Sequence, residues 1–316
     1  MRVVVTGGAG FIGANLVARL LEVSAAREIV IVDDLSTGSR SNVPPDPSVE
    51  LVECSLLDRA RLEAACAGAS AIVHLAALPS VPRSLEDPLA SHHANATGTV
   101  HVLEAARRTG AHVVVASSSS VYGANPALPK HEDLATRPRS PYAASKLATE
   151  SYALAYGASF GLDALAFRFF NVYGPLQSAD HDYAAAIPKF VAAAMRGDDL
   201  LVHGDGLQTR DFTFVESVVS ILAEAVERRV TSAEPVNLAF GTRTSLLDLI
   251  EILERAFGRP LARRHVDPRP GDVRDSQADD AALRRLFPRS TPTPLEEGVA
   301  RTVAWFRDGQ PAPLAP

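Results

Sequence analysis

The chain has 316 residues with 47% hydrophobic and 22% charged side chains, the balance of a globular protein, and its formal net charge of -6 is spread in mixed sign along the sequence. No basic block points to nucleic acid, and no apolar run reaches the roughly 18 residues needed to cross a bilayer. The two cysteines, Cys54 and Cys66, have neither metal-ligand spacing nor the number for a disulfide framework, so a reducing cytoplasm and no metal site are expected.

Along the chain, strands are predicted at Arg2–Thr6, Glu28–Asp33, 49–54, 71–75 and 112–117, alternating with helices at 13–23, 59–67 and 89–108. The glycines that interrupt the apolar N-terminus make it a strand entering a turn rather than a signal peptide. Continuous Val/Ile/Leu strands separated by helices imply a parallel sheet covered on both faces. A helix at 145–159 and a strand at Ala164–Phe169 follow. Residues 174–211 then read as an insertion carrying one helix, 187–195, residues 212–242 return to strand and helix, and 244–316 are mixed with a frayed, Pro-rich tail. The expected fold is α/β, a doubly wound parallel sheet of Rossmann-like type over 1–173 with 212–242 returning to it. A smaller C-terminal lobe from 174–211 and 243–316 would close a cleft against it.

Gly7, Gly10 and Gly13 sit between the first strand and the first helix. Such a turn allows tight reversal, backbone approach to a pyrophosphate and close helix packing, with the helix N-terminus facing the phosphates. Asp33 ends the second strand 20 residues past Gly13, where a carboxylate can hold ribose hydroxyls and repel a 2′-phosphate. NAD is therefore favoured, with Asp34 beside the same ribose, although the nearby Arg40 leaves NADP open. Asp58, next to Leu57, reads equally as a contact to the adenine edge or as the cap of the helix that follows.

Tyr142 and Lys146 stand four apart at a helix start and share a face, and Ser118 ends the preceding strand. A phenol with a pKa of about 10 is a poor base at neutral pH, but a nearby ammonium and the positive nicotinamide would favour its phenolate. Tyr142 would then take a proton from a sugar hydroxyl as hydride leaves, with Ser118 bonded to the same oxygen.

Five segments, Thr6 to Gly13, His74 to Ala77, Ser117 to Gly123, Pro141 to Lys146 and Arg168 to Pro175, together with Arg210-Asp211-Phe212, resemble the extended short-chain dehydrogenase/reductase family, in order along nearly the whole chain. The resemblance, which points to the NAD-dependent nucleotide-sugar epimerases of the UDP-glucose and UDP-N-acetylglucosamine 4-epimerase group, implies tightly held NAD, a UDP-hexose substrate and a homodimer built on a four-helix contact. It makes Ser118, Tyr142 and Lys146 the catalytic trio and Asn95 a cofactor-side asparagine. Phe11, Ile12, Leu75, Ala76 and Ala77 join the cofactor site by the same resemblance.

Dehydratases that resemble this chain carry an Asp-Glu pair where Ser119 and Ser120 stand here, so the sequence favours epimerisation, which needs only hydride removal, ketose rotation and hydride return. Relatives acting on UDP-glucuronate tend to have Thr at the position of Asn171 and Arg near 178, so neutral hexoses rank first. The segments 80–84 and 183–189 resemble 4-epimerases that accept N-acetylated sugars, which puts Ser80 and Ile187 in the sugar site with Ser119. Ser276 matches a position gating the C2 substituent, where tyrosine excludes an N-acetyl group and serine leaves room. Arg210 and Arg269 are the candidate diphosphate ligands, Asp272 the ribose contact and His203 the base-stacking residue. The alternatives are a UDP-glucuronate 4-epimerase, a ketoreductase of the same fold, or a non-catalytic NAD-dependent metabolite sensor.

Overall fold

The computed structural model describes residues 1–23, 26–179, 185–267 and 273–309. Seven strands form one sheet: β1 (Arg2–Thr6), β2 (Glu28–Asp33), β3 (Val49–Glu53), β4 (Ala71–His74), β5 (His112–Ser118), β6 (Ala164–Phe169) and β7 (Val236–Leu238). All pairings are parallel, in the order β7-β6-β5-β4-β1-β2-β3. The expected architecture is present, and its strands are fully buried apolar runs such as Val3–Val4–Val5 and Ile29–Val30–Ile31. The order reverses between β1 and β4, so the C-terminal strand ends there part around a crevice. In register, Thr6 pairs with His74 and Val32, and Ser118 pairs with Phe169, which sets one polar edge beside that crevice.

The long helices are α1 (Phe11–Glu22), α2 (Gly98–Thr109), α3 (Pro141–Phe160), α4 (Ala186–Arg196), α5 (Val215–Arg228), α6 (Leu246–Phe257) and α7 (Leu295–Arg307). Two differ instructively from expectation. Helix α3 starts at Pro141, not at residue 145, because Ser140 caps it by accepting from the Ala143 N–H at 3.1 Å and proline suits the first helical position. Tyr142 thereby falls in the first turn.

The single helix predicted over 89–108 is broken. A short α-helix, Pro88–His92, passes through a π-helical turn, His93–Thr97, before α2 begins. At this turn the Asn95 carbonyl accepts from the Thr99 hydroxyl at 2.5 Å and the Thr149 hydroxyl at 3.3 Å.

The C-terminal lobe is built from α4, α6, α7 and short strand pairs. Leu200–His203 lies parallel to Arg263–Val266, and Thr209–Arg210 lies antiparallel to Thr244–Ser245. Phe212–Phe214, expected back in the main sheet, pairs instead with Asn171–Tyr173, while the strand after α5 does join the sheet as β7. One apolar core runs from Val3 through Phe190, Leu249 and Val303, so the lobe is welded to the sheet. Both cysteines are buried free thiols, and among the described residues no helix is long and apolar enough to cross a membrane.

Candidate active site

A cleft of about 650 Å³ follows the C-terminal strand ends from the glycine turn to α3. Gly7 has φ of 71°, and a Cβ on Gly13 would lie 2.1 Å from the Gly7 carbonyl oxygen, so both positions require glycine. Gly10 is the extended N-cap of α1, which is why the helix starts at Phe11 rather than Gly13. A Cβ on Gly10 would meet only the Gly7 oxygen, at 3.3 Å, so its absence keeps the helix N-terminus open to the cleft. Asp33 accepts the N–H of Ala9 on one carboxylate oxygen (3.0 Å) and of Leu35 on the other (2.9 Å). Burial raises its pKa, and these backbone donors oppose the rise. Asp34 also lines the cleft, whereas Arg40 is paired with Glu53. An open helix N-terminus, a fixed carboxylate and the apolar walls of Phe11, Ile12, Leu57, Leu75, Ala76 and Ala77 fit an adenine dinucleotide, and the carboxylate would repel a 2′-phosphate.

Ser118, Tyr142 and Lys146 line the other end. The Ser118 oxygen accepts the Ser120 N–H at 3.2 Å. Burial raises the Tyr142 phenol's pKa, and the neighbouring Ser118 hydroxyl pulls the other way. Lys146 is buried, which holds its ammonium down to about 8, and its Nζ donates to the Ala116 carbonyl at 2.8 Å. In the protein alone burial is the largest influence on the phenol, and the Lys146 ammonium is bonded to the strand. Asn95 does not line the cleft. Its side chain clamps the Leu78 backbone, accepting at 2.8 Å and donating at 3.2 Å, and donates to Ser145 at 2.9 Å, which in turn donates to the Tyr142 carbonyl at 2.8 Å.

Beneath the trio lies an ion pair that sequence reasoning missed. Arg168 forks onto Glu150 at 3.0 and 2.7 Å, with the two side chains only 5% and 3% exposed. Ser117 donates to the same carboxylate at 2.6 Å. Burial opposes the Arg168 charge, but Glu150 outweighs it and raises the guanidinium pKa.

A second cavity, of about 1190 Å³, opens between this end and the lobe. Ser80, Asn171, Ile187, His203 and Arg210 line it as predicted, joined by Lys189 from the 183–189 segment and by Gln208 and Arg264, which carried no sequence signal. Tyr142, Phe170 and Val172 line both cavities. His203 Nδ1 meets the Asp267 carbonyl at 2.9 Å. Asp211 is fully buried and accepts the Ala278 N–H (3.0 Å) and the Thr242 hydroxyl (2.8 Å), and burial pushes its pKa up to about 6. It anchors the segment carrying Ser276, whose N–H donates to the Thr209 carbonyl at 3.1 Å beside Arg210.

Besides Asn95, two expected sugar-site residues lie outside the cavity linings. Ser119 starts a 3-10 turn, and neither it nor Ser276 is among the residues lining the cavities. Asp58 caps the helix Arg59–Ala65 by accepting from Arg61 at 3.2 Å and does not line the cleft, which favours its capping role. Arg269 and Asp272 lie outside the described residues, as does the end of the Pro-rich tail. His101 packs its Nδ1 on the Leu56 carbonyl at 2.9 Å, and no metal cluster occurs among the described residues.

Residues 3–239 match the family described as "NAD dependent epimerase/dehydratase family". The UDP-glucose 4-epimerase of Mycolicibacterium smegmatis is 38% identical over 315 residues, covering 98% of this chain and 99% of that one. The solved UDP-N-acetylglucosamine 4-epimerase from Methanobrevibacter ruminantium, in complex with UDP-N-acetylmuramic acid, has a TM-score of 0.92 at 35% identity over 98% of both chains. The UDP-glucose 4-epimerase of Thermus thermophilus, solved with NAD, has a TM-score of 0.87 at 33% identity, over 97% of this chain and 99% of that one.

Proposed function

The chain belongs to the NAD-dependent epimerase/dehydratase family, and on that premise we propose that it is a UDP-hexose 4-epimerase, interconverting UDP-glucose and UDP-galactose and accepting their N-acetyl forms. One observation carries the reading: of the three residues shared by the dinucleotide cleft and the lobe cavity, only Tyr142 has a titratable group. A proton carrier on that common wall can serve a sugar carbinol held between a dinucleotide and a nucleotide-binding lobe. In this reading 1–173 and 212–242 hold the cofactor, and 174–211 with 243–316 hold the sugar nucleotide.

Gly7, Gly10, Gly13 and Asp33 would hold NAD, which supplies a reversible hydride acceptor. Tyr142 takes the proton of the sugar 4-hydroxyl, and Ser118, whose oxygen is already supplied by the Ser120 N–H, directs its own hydrogen to the same oxygen. Once the ketose has turned in the lobe cavity, hydride from the reduced cofactor would return to the opposite face of C4 while Tyr142 gives its proton back to the same oxygen, which leaves the hydroxyl with the opposite configuration. The carboxylates lining the two cavities are Asp33, Asp34, Asp198 and Asp199. None lies on the turn after Ser118, which speaks against dehydration. Purified protein should convert UDP-galactose to UDP-glucose, followed by chromatography, without net use of reduced cofactor. Stoichiometric consumption of NADH, or conversion of UDP-glucuronate alone, would reject the reading.

Tolerance of N-acetyl groups rests on Ser276, held beside Arg210 by the Thr209 bond and by Asp275, which accepts the Thr209 hydroxyl at 2.6 Å. Ser276→Tyr is expected to cut turnover of UDP-N-acetylgalactosamine by roughly tenfold or more through steric exclusion, leaving UDP-galactose within about threefold. Equal loss on both sugars would remove position 276 from the selectivity argument.

The homodimer has a candidate face in Leu85 (65% exposed), Leu89 (69%) and Tyr152 (45%), on the short helices Val81–Glu86 and Pro88–His92 and on the neighbouring α3. Exposed side chains of this size on adjacent helices suit self-association. Light scattering should report a dimer that Leu89→Glu shifts to monomer. An unchanged dimer would place the contact elsewhere.

A further inference from the structure

Asp211 joins two residues that line the lobe cavity, Arg210 beside it in the chain and Asn171, which its carbonyl holds. That carbonyl accepts both the backbone N–H (3.2 Å) and the side-chain Nδ2 (3.3 Å) of Asn171. Just before it, Thr209 pairs in parallel with Asp275. The Thr209 N–H donates to the Arg274 carbonyl at 3.0 Å, and the Ser276 N–H donates to the Thr209 carbonyl at 3.1 Å. One rung further, a parallel ladder would bring the Ala278 N–H to the Asp211 carbonyl, which Asn171 already occupies. The Ala278 N–H donates instead to the Asp211 carboxylate, at 3.0 Å. The other carboxylate oxygen accepts the Thr242 hydroxyl at 2.8 Å, and the whole side chain is buried. The side chain thus supplies the bond that the backbone has given to Asn171, and one strand serves two neighbours.

The segment held in this way orients Arg210. The guanidinium Nη1 donates to the Thr209 carbonyl at 2.8 Å and to the Arg274 carbonyl at 3.3 Å, the two residues that the ladder brings together. Lys130 secures the far edge of the segment, donating its N–H to the Gln277 carbonyl and accepting the Asp279 N–H, both at 2.8 Å. Asp211 ties residue 278 to the strand that bears Arg210. We propose that Asp211 positions Arg210 for the diphosphate of the sugar nucleotide. By fixing Ala278 it keeps residues 274–276 against Thr209, and with them the carbonyl that steers the guanidinium. Asp211 is a positioning residue and touches neither substrate nor cofactor. Asparagine is a poor substitute, because both carboxylate oxygens face donors and an amide NH₂ would be turned on one of them in a site closed to water. The inference rests on the reading of Arg210 as a diphosphate ligand in a sugar-nucleotide enzyme, and not on which hexose is bound.

The test is a double-mutant cycle on the NAD-loaded protein with Asp211→Asn, Arg210→Met and the pair, titrated with UDP and with uridine by calorimetry. Each single variant should weaken UDP roughly tenfold, the loss of a charge-assisted contact, and leave uridine within about twofold. Adding Asp211→Asn to Arg210→Met should change UDP affinity by no more than about twofold, because the arginine through which Asp211 acts is already gone. In turnover, Asp211→Asn should raise the KM for UDP-galactose while kcat stays within about threefold. Losses that add, losses as large on uridine as on UDP, or a fallen kcat with KM unchanged would overturn the proposal. Should Asp211→Asn not fold, hydrogen exchange in the peptide 273–280 decides. UDP should slow that exchange in wild type and not in Arg210→Met, and exchange indifferent to UDP would overturn the coupling. A protein that obeys the cycle for UDP but does not epimerise UDP-galactose would reject the 4-epimerase reading and leave the role of Asp211 standing.

Discussion

Tyr142→Phe is expected to lower epimerase turnover by roughly 10²–10⁴-fold, the usual worth of a positioned acid–base group, while the protein still purifies with NAD. The phenylalanine ring keeps the packing on the wall shared by the two cavities and removes only the phenol oxygen. Within these cavities no other tyrosine replaces it, since Tyr173 lines only the lobe cavity and donates its hydroxyl to the Leu295 carbonyl at 3.3 Å. Because burial raises the Tyr142 pKa, the phenol is protonated at neutral pH unless a positive charge comes close, and the nicotinamide ring of bound NAD⁺ carries one. The rate supported by Tyr142 should therefore climb as pH rises toward the phenol's ionisation, and that climb should be absent from the residual activity of the phenylalanine variant. Initial rates on UDP-galactose across pH, with bound cofactor measured by absorbance, test both points. Turnover within about threefold of wild type would remove Tyr142 from the chemistry.

The parts of this arrangement that were legible in the sequence are those imposed by local rules. Glycines at 7, 10 and 13 after an apolar run leave little choice of backbone, and Asp33 ends a strand whose register places it on the same edge. The seven-stranded parallel sheet follows because its strands are apolar on both faces. What local rules did not show depends on contacts between distant segments. The π-helical turn at 93–97 has no periodic signature. It becomes visible only when Thr99 and Thr149 are seen to gather on the Asn95 carbonyl. Lys146 sits where the four-residue spacing puts it, yet whether its ammonium reaches the phenol or the strand is decided by the Ala116 carbonyl, thirty positions away.

Glu150→Ala should be the most destabilising single truncation near the site, by about 3–5 kcal/mol, because it leaves a buried guanidinium without its anion. Arg168 would keep the Glu132 carbonyl at 3.1 Å and the Tyr122 ring, whose centroid lies 4.8 Å from its Cζ, but neither supplies negative charge. In a chain of this size the loss corresponds to a fall in melting temperature of roughly 5–8 °C. The double variant Glu150→Met with Arg168→Met should melt above Glu150→Ala, since two apolar side chains can occupy the space without stranding a charge. Function separates this pair from ordinary core packing. Glu150 sits one helical turn beyond Lys146 and accepts from Ser117, whose hydroxyl also approaches the Lys146 carbonyl at 3.2 Å. The pair thus pins the helix carrying Tyr142 to the strand carrying Ser118. The double variant, though folded, should lose kcat while KM for the sugar nucleotide stays within a few-fold, because Ser117 and α3 have lost their common anchor. Calorimetry of the three variants with steady-state kinetics of the double variant decides the matter. A double variant that melts no higher than Glu150→Ala would contradict the stranded-charge account, and one with wild-type kcat would show that the ion pair supports the fold without positioning the trio.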